Sequence, residues 1–174
     1  MIRYVTTVPV LFVFALGASA QTSALQHHHP DVTVVDGAKN PELIPDSTAY
    51  RLWLVTVSLP PNSTAQERTF QQAHLRKLQL TSGIDSLQFL TILTEFKSQY
   101  LSMIARYNES ARATLAQGGI PDQKLFLQQR DGLVSATRAA ITQRLSPEGA
   151  ARIHAHVQEE KSHIHVQTTG VQGQ

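Results

Sequence analysis

From Asp46 to about His165, apolar residues recur at three- and four-residue spacing, the period of amphipathic helices. Asp46 sits where an N-cap belongs. Ala49, Tyr50, Trp53, Leu54 and Val57 follow as one stripe until Pro60-Pro61 stops the segment. Val55-Thr56-Val57 leans toward a strand, and the helical spacing is preferred. Thr64 and Glu67 have the spacing of a capping box and open a second helix carrying Phe70, Ala73, Lys77 and Leu78 on or beside its stripe. Thr81-Ser82 opens the longest run, in which Ile84, Leu87, Leu90, Leu93, Phe96, Tyr100, Ile104, Tyr107, Ala111 and Leu115 follow at about 3.4 residues per step, near a coiled-coil seam. Gly118-Gly119 is its stop signal. A helix over 83–116 is about 50 Å long at 1.5 Å per residue, against about 40 Å for the diameter of a compact chain of this size. Such a helix bends, lies in an elongated molecule, or projects toward a partner. Asp122 caps a further helix bearing Leu125, Phe126, Leu133, Val134, Ala140, Ile141 and Leu145. Ser146-Pro147-Glu148 starts the last one, whose stripe of Ala150, Ile153, Val157 and Ile164 runs to about His165.

The pattern predicts an all-α protein, an elongated antiparallel helical bundle with one long central helix and disordered termini. Its helical domain spans 46–165. The lead-in, 21–45, is extended or disordered, with Val32-Thr33-Val34-Val35 as a short strand, Asp36-Gly37 as a turn, and one helical turn from Pro41 to Ile44 that stops at Pro45. The tail, 166–174, is polar and expected to be disordered. Residues 1–20 read as a signal peptide: Arg3 supplies the positive charge, Val8 to Leu16 the apolar stretch, and Ala18-Ser19-Ala20 the cleavage pattern. That apolar stretch is shorter than the roughly 20 residues a bilayer requires, and Leu52 to Leu59 is shorter still, so no integral membrane segment is expected after cleavage.

Cleavage after Ala20 leaves 14 basic and 13 acidic residues, a balance that argues against a nucleic-acid partner. The chain has no cysteine, which excludes disulfides, thiolate metal sites and thiol nucleophiles. An exported chain of about 150 residues without disulfides must be held by packing alone, and this favours a bacterial periplasmic or extracellular location. No glycine-rich nucleotide loop, nucleophile elbow or zinc-protease motif occurs, so no enzyme is expected.

Two groups of residues are candidates for function. On a helix, His156, Glu160 and His163 fall one above another at i, i+4 and i+7. They would offer imidazole and carboxylate ligands to zinc or copper, with His27 to His29 as further donors. The same residues also fit a solvated helix end with weak Glu–His pairs. Leu93, Phe96, Tyr100, Ile104 and Tyr107 form the middle of the long seam, the candidate surface for a protein partner or a second copy of the chain.

Leu80-Thr81-Ser82-Gly83-Ile84 and Leu145-Ser146-Pro147-Glu148-Gly149 resemble the Leu-Thr-x-x-Gln helix starts of the periplasmic Spy and CpxP-like proteins. Neither copy keeps the glutamine, and Ser146 replaces threonine in the second. The resemblance implies an exported helical stress protein acting as an ATP-independent chaperone or envelope-stress adaptor; the whole chain also looks like uncharacterised exported bacterial helical proteins. The expected function is non-enzymatic protein binding through an apolar or coiled-coil-like face, with metal binding by the His-rich C-terminal helix as the alternative.

Overall fold

The computed structural model describes residues 32–60, 62–80 and 83–169; the leader, His27 to His29, Thr81-Ser82 and 170–174 lie outside the described residues. The described chain folds as five α-helices, α1 (Asp46–Val57), α2 (Ala65–Lys77), α3 (Gly83–Ala116), α4 (Gln123–Arg144) and α5 (Pro147–Glu160), with two short strands, β1 (Val32–Asp36) and β2 (His165–Thr169). The all-α class and the long helix over 83–116 are both present. Three starts follow their caps. The Thr64 hydroxyl accepts from the Glu67 amide, and the Glu67 carboxylate accepts from the Thr64 amide. Asp122 accepts from the Lys124 and Leu125 amides, and Ser146 accepts from Gly149.

Two boundaries differ from the sequence reading. Asp46 is not an N-cap: Pro45 holds that position without a side-chain bond, and Asp46 is the first helical residue. Its carboxylate reaches across the fold instead, to Lys161 Nζ at 2.7 Å and to Gln158 Nε2 at 3.1 Å. The last helix does not run to His165 either. It ends at Glu160, a 3-10 turn follows over Lys161–His163, and Val166 to Thr169, expected in the tail, belong to β2. The cause is on both sides of the turn. Lys161 is drawn inward onto Asp46, and His165-Val166-Gln167-Thr168-Thr169 carries β-branched residues that fit a paired strand.

β1 and β2 pair antiparallel from Val32 opposite Thr169 to Asp36 opposite His165, so the first and last described segments close on each other. Gly37, directly after β1, donates its amide to Ile164 O at 2.9 Å. A Cβ at this position would lie 1.9 Å from Lys161 O and 2.7 Å from Ile164 O, so only glycine fits.

The core is formed by Tyr50, Trp53, Leu54 and Val57 of α1, Phe89, Ile92, Leu93 and Phe96 of α3, Val134 and Ile141 of α4, and Ile153 and Val157 of α5, with Ile44 entering from the lead-in. Trp53 stacks on Phe89 at 5.7 Å between ring centroids. Removing each such aromatic from water contributes about 2–3 kcal/mol. α5 is locked to α3 at its start: Asp85 accepts from both the amide and the hydroxyl of Ser146, while that hydroxyl accepts from Gly149.

Candidate functional site

Along α3 the buried residues end at Met103, and along α4 they begin at Val134. Between Ile104 and Leu133 no residue is buried. This stretch is a two-helix arm, joined to the core at its root, where Leu133 packs on it and Arg130 and Asp131 act on Arg51 of α1. One pair marks its inner seam: Tyr107 lies against Phe126 with ring centroids 4.5 Å apart. Outside that seam the arm leaves large apolar side chains in water, with Ile120 at 92% exposure, Leu115 at 60% and Leu125 at 54%. At its root Gly132 presents no side chain, and a groove of about 340 Å³ opens among Gln99, Met103, Arg106, Gln129 and Leu133. Gly118, with φ of 74°, makes the left-handed step that turns the chain out of α3.

The five seam residues therefore divide. Leu93 and Phe96 are core, each at 1% exposure, and offer nothing to a partner. Tyr100 is half-buried and stacks on Phe96 at 5.5 Å. Ile104 and Tyr107 are half-buried on the arm. The seam read as one stripe is exposed at its start, with Ile84 at 70% and Leu87 at 69%, core at Leu93 and Phe96, and a two-helix contact at Tyr107. Periodicity marks the buried side of a helix without saying how many neighbours cover it.

The histidine cluster is dispersed in a similar way. His156 is mostly buried, with Trp53 edge-on at 5.9 Å, its Nε2 3.5 Å from Glu160 and its Nδ1 3.9 Å from Glu159. His163 does not complete the set, because α5 has ended before it and it sits exposed on the 3-10 turn. His154 meets the Tyr50 hydroxyl at 3.2 Å, and His165 faces Asp36 at 3.2 Å across the strand pair. Among the described residues no group of three or more His, Asp or Glu side chains is placed to hold a metal ion.

Two features were not read from the sequence. The first is a polar junction at the start of α1, where Asp46 gathers Lys161, Gln158 and Arg138, and the Arg138 guanidinium lies 5.1 Å from the Tyr50 ring centre. Bonding to Lys161 and Gln158 holds the Asp46 carboxyl below the usual carboxylate range. Burial pushes the Tyr50 phenol up. The second is His74 on α2. Glu160 and His156 of α5 act on its charge, and burial, more than any neighbour, holds its pKa down. Its signal was the Phe70–His74 pair at i, i+4, whose rings lie 4.4 Å apart.

No family model, curated protein or solved structure matches this chain. No described helix is long and apolar enough to cross a membrane. Among the described residues nothing points to enzymatic activity: Glu67 serves as a cap, Asp85 as a helix lock, and Glu95 and Asp46 as ion-pair partners.

Proposed function

We propose that this chain is an exported, non-enzymatic protein of the bacterial envelope that binds other proteins through the arm formed by residues 104–133, in a chaperone-like or stress-adaptor role. One observation carries the reading: large apolar side chains stand in water on a two-helix element that buries none of its own residues. A helical pair with so little internal burial is stabilised when a partner covers its outer faces. The signal-peptide pattern of residues 1–20 supports export, and in an exported chain the absence of cysteine favours a bacterial location. The test is suppression of aggregation of an unfolded client by residues 21–174 at near-stoichiometric ratio, with sedimentation to fix the oligomeric state. Holding that falls in a variant combining Leu115→Gln, Ile120→Ser and Leu125→Gln, with helicity unchanged, supports the arm as the surface. A monomer with no effect on any client sinks the reading. The metal-binding alternative starts from two adjacent donors, His156 and Glu160. Calorimetric titration with zinc and copper, repeated on His156→Ala, tests it.

A further inference from the structure

α2 is the least embedded helix of the fold. None of its thirteen residues is fully buried, and Phe70 on its face is 49% exposed. It is tied down at its end by half-buried Leu75 and buried Leu78, by the Gln71 side chain on Val57 O at 2.8 Å, and by Arg152 on Gln79 O at 2.8 Å. A groove lies on either side of it. One, of about 330 Å³, includes Leu75, Leu80 and Leu90; the other, of about 620 Å³, includes Val55, Leu59 and Phe70.

Two imidazoles, His74 on α2 and His156 on α5, are near enough for the charge of the second to act on the first. His74 Nδ1 is buried with no hydrogen-bond partner among the described residues, whereas His156 Nε2 faces the Glu160 carboxylate at 3.5 Å. A neutral imidazole tolerates the unpartnered nitrogen of His74, because one ring nitrogen is a bare acceptor. An imidazolium does not, because both nitrogens become donors and a buried donor without an acceptor is costly. The charges around His74 do not outweigh its burial. Lys77 on α2 opposes a proton on His74, as does His156 from α5, and Glu160 is the one carboxylate that favours it.

We propose that α2 is an acid-released cover: protonation of His74, whose Nδ1 is buried without an acceptor, detaches residues 65–77 and uncovers the part of the core on which Leu75 packs. The sign follows from where the proton binds. Burial depresses the pKa of His74 in the closed state, and detachment returns it toward the ordinary value of about 6.5. Closure is therefore undisturbed above that value and is lost progressively as pH falls below it, with the open population growing up to about tenfold per pH unit for one proton. That the uncovered face takes clients rests on the function proposed above; the release does not.

Hydrogen exchange of residues 21–174 at pH 7.5 and 5.0, corrected for intrinsic rates, tests the release. The expected result is lost protection over 65–77 at pH 5.0 while the core of α3 and α4 keeps its own. His74→Leu is expected to abolish the pH dependence. Glu160→Gln is expected to move release to higher pH, because it removes the one acid that favours the charged ring in the closed state. Unchanged exchange in α2, an equal acid response in His74→Leu, or simultaneous loss over the whole chain overturns the proposal. Client holding measured alongside separates the two claims. Release without any holding at either pH leaves the cover standing and sinks the client reading; holding without release does the reverse.

Discussion

Gln79 closes α2 with φ of 46°, a left-handed conformation that a residue with a Cβ adopts at a cost of about 1–2 kcal/mol. Its carbonyl accepts from Arg152, which fixes the backbone there whatever the side chain. Gln79→Gly is therefore expected to raise the denaturant midpoint by the equivalent of about 0.5–1 kcal/mol, the gain being reduced by glycine's extra freedom when unfolded. Asp46 illustrates the opposite case, a side chain whose removal strands another. Lys161 is almost fully buried on it, while Asp46 keeps 37% of its side chain in water. Asp46→Ala should cost less than the 3–5 kcal/mol of a fully buried pair, about 2 kcal/mol, in chemical denaturation at pH 7. The folded carboxyl titrates below its unfolded value. Its contribution is thus present above about pH 4 and lost as pH falls through the folded value, so the variant should show a shallower acid limb between pH 5 and pH 2.

At the scale of elements, the strand pair and the arm are the parts that local changes should disturb separately. A methyl group at Gly37 would collide with the Lys161 carbonyl, so Gly37→Ala is expected to cost about 1–3 kcal/mol and to lower amide protection in β1 and β2 before that of the helices. Tyr107→Ala removes a ring pair of about 0.5–1.5 kcal/mol and should loosen 104–133 in hydrogen exchange while leaving α1 and α5 unchanged. Most element starts were legible in the sequence, because caps are local chemistry: Thr64 with Glu67, Asp122 and Ser146 each need partners only two or three residues away. Asp46 misled because the same side chain that caps a helix also pairs with a lysine 115 positions later. β2 was hidden because a five-residue polar strand has no signal of its own until its partner, β1, lies beside it. The candidate sites were less legible than the fold. The sequence aligned His163 with His156, whereas in the folded chain it is His74, 82 positions earlier, on which the charge of that imidazole acts.

For the molecule as a whole, the absence of cysteine means that one packed core, drawn from α1, α3, α4 and α5, carries the stability. α2 and the arm are attached to that core rather than part of it, which places the elements free to change on its periphery. The strand pair has a different consequence. Because Val32 lies opposite Thr169, the described chain enters and leaves the fold at one place. A short glycine–serine linker from Thr169 to Val32, with new ends opened between Gly118 and Gly119, should yield a circular permutant with the parent's circular dichroism and nearly its melting temperature. Attachment to a surface through either end would then hold the folded unit at the same point, leaving residues 104–133 presented alike in both orientations of the tether.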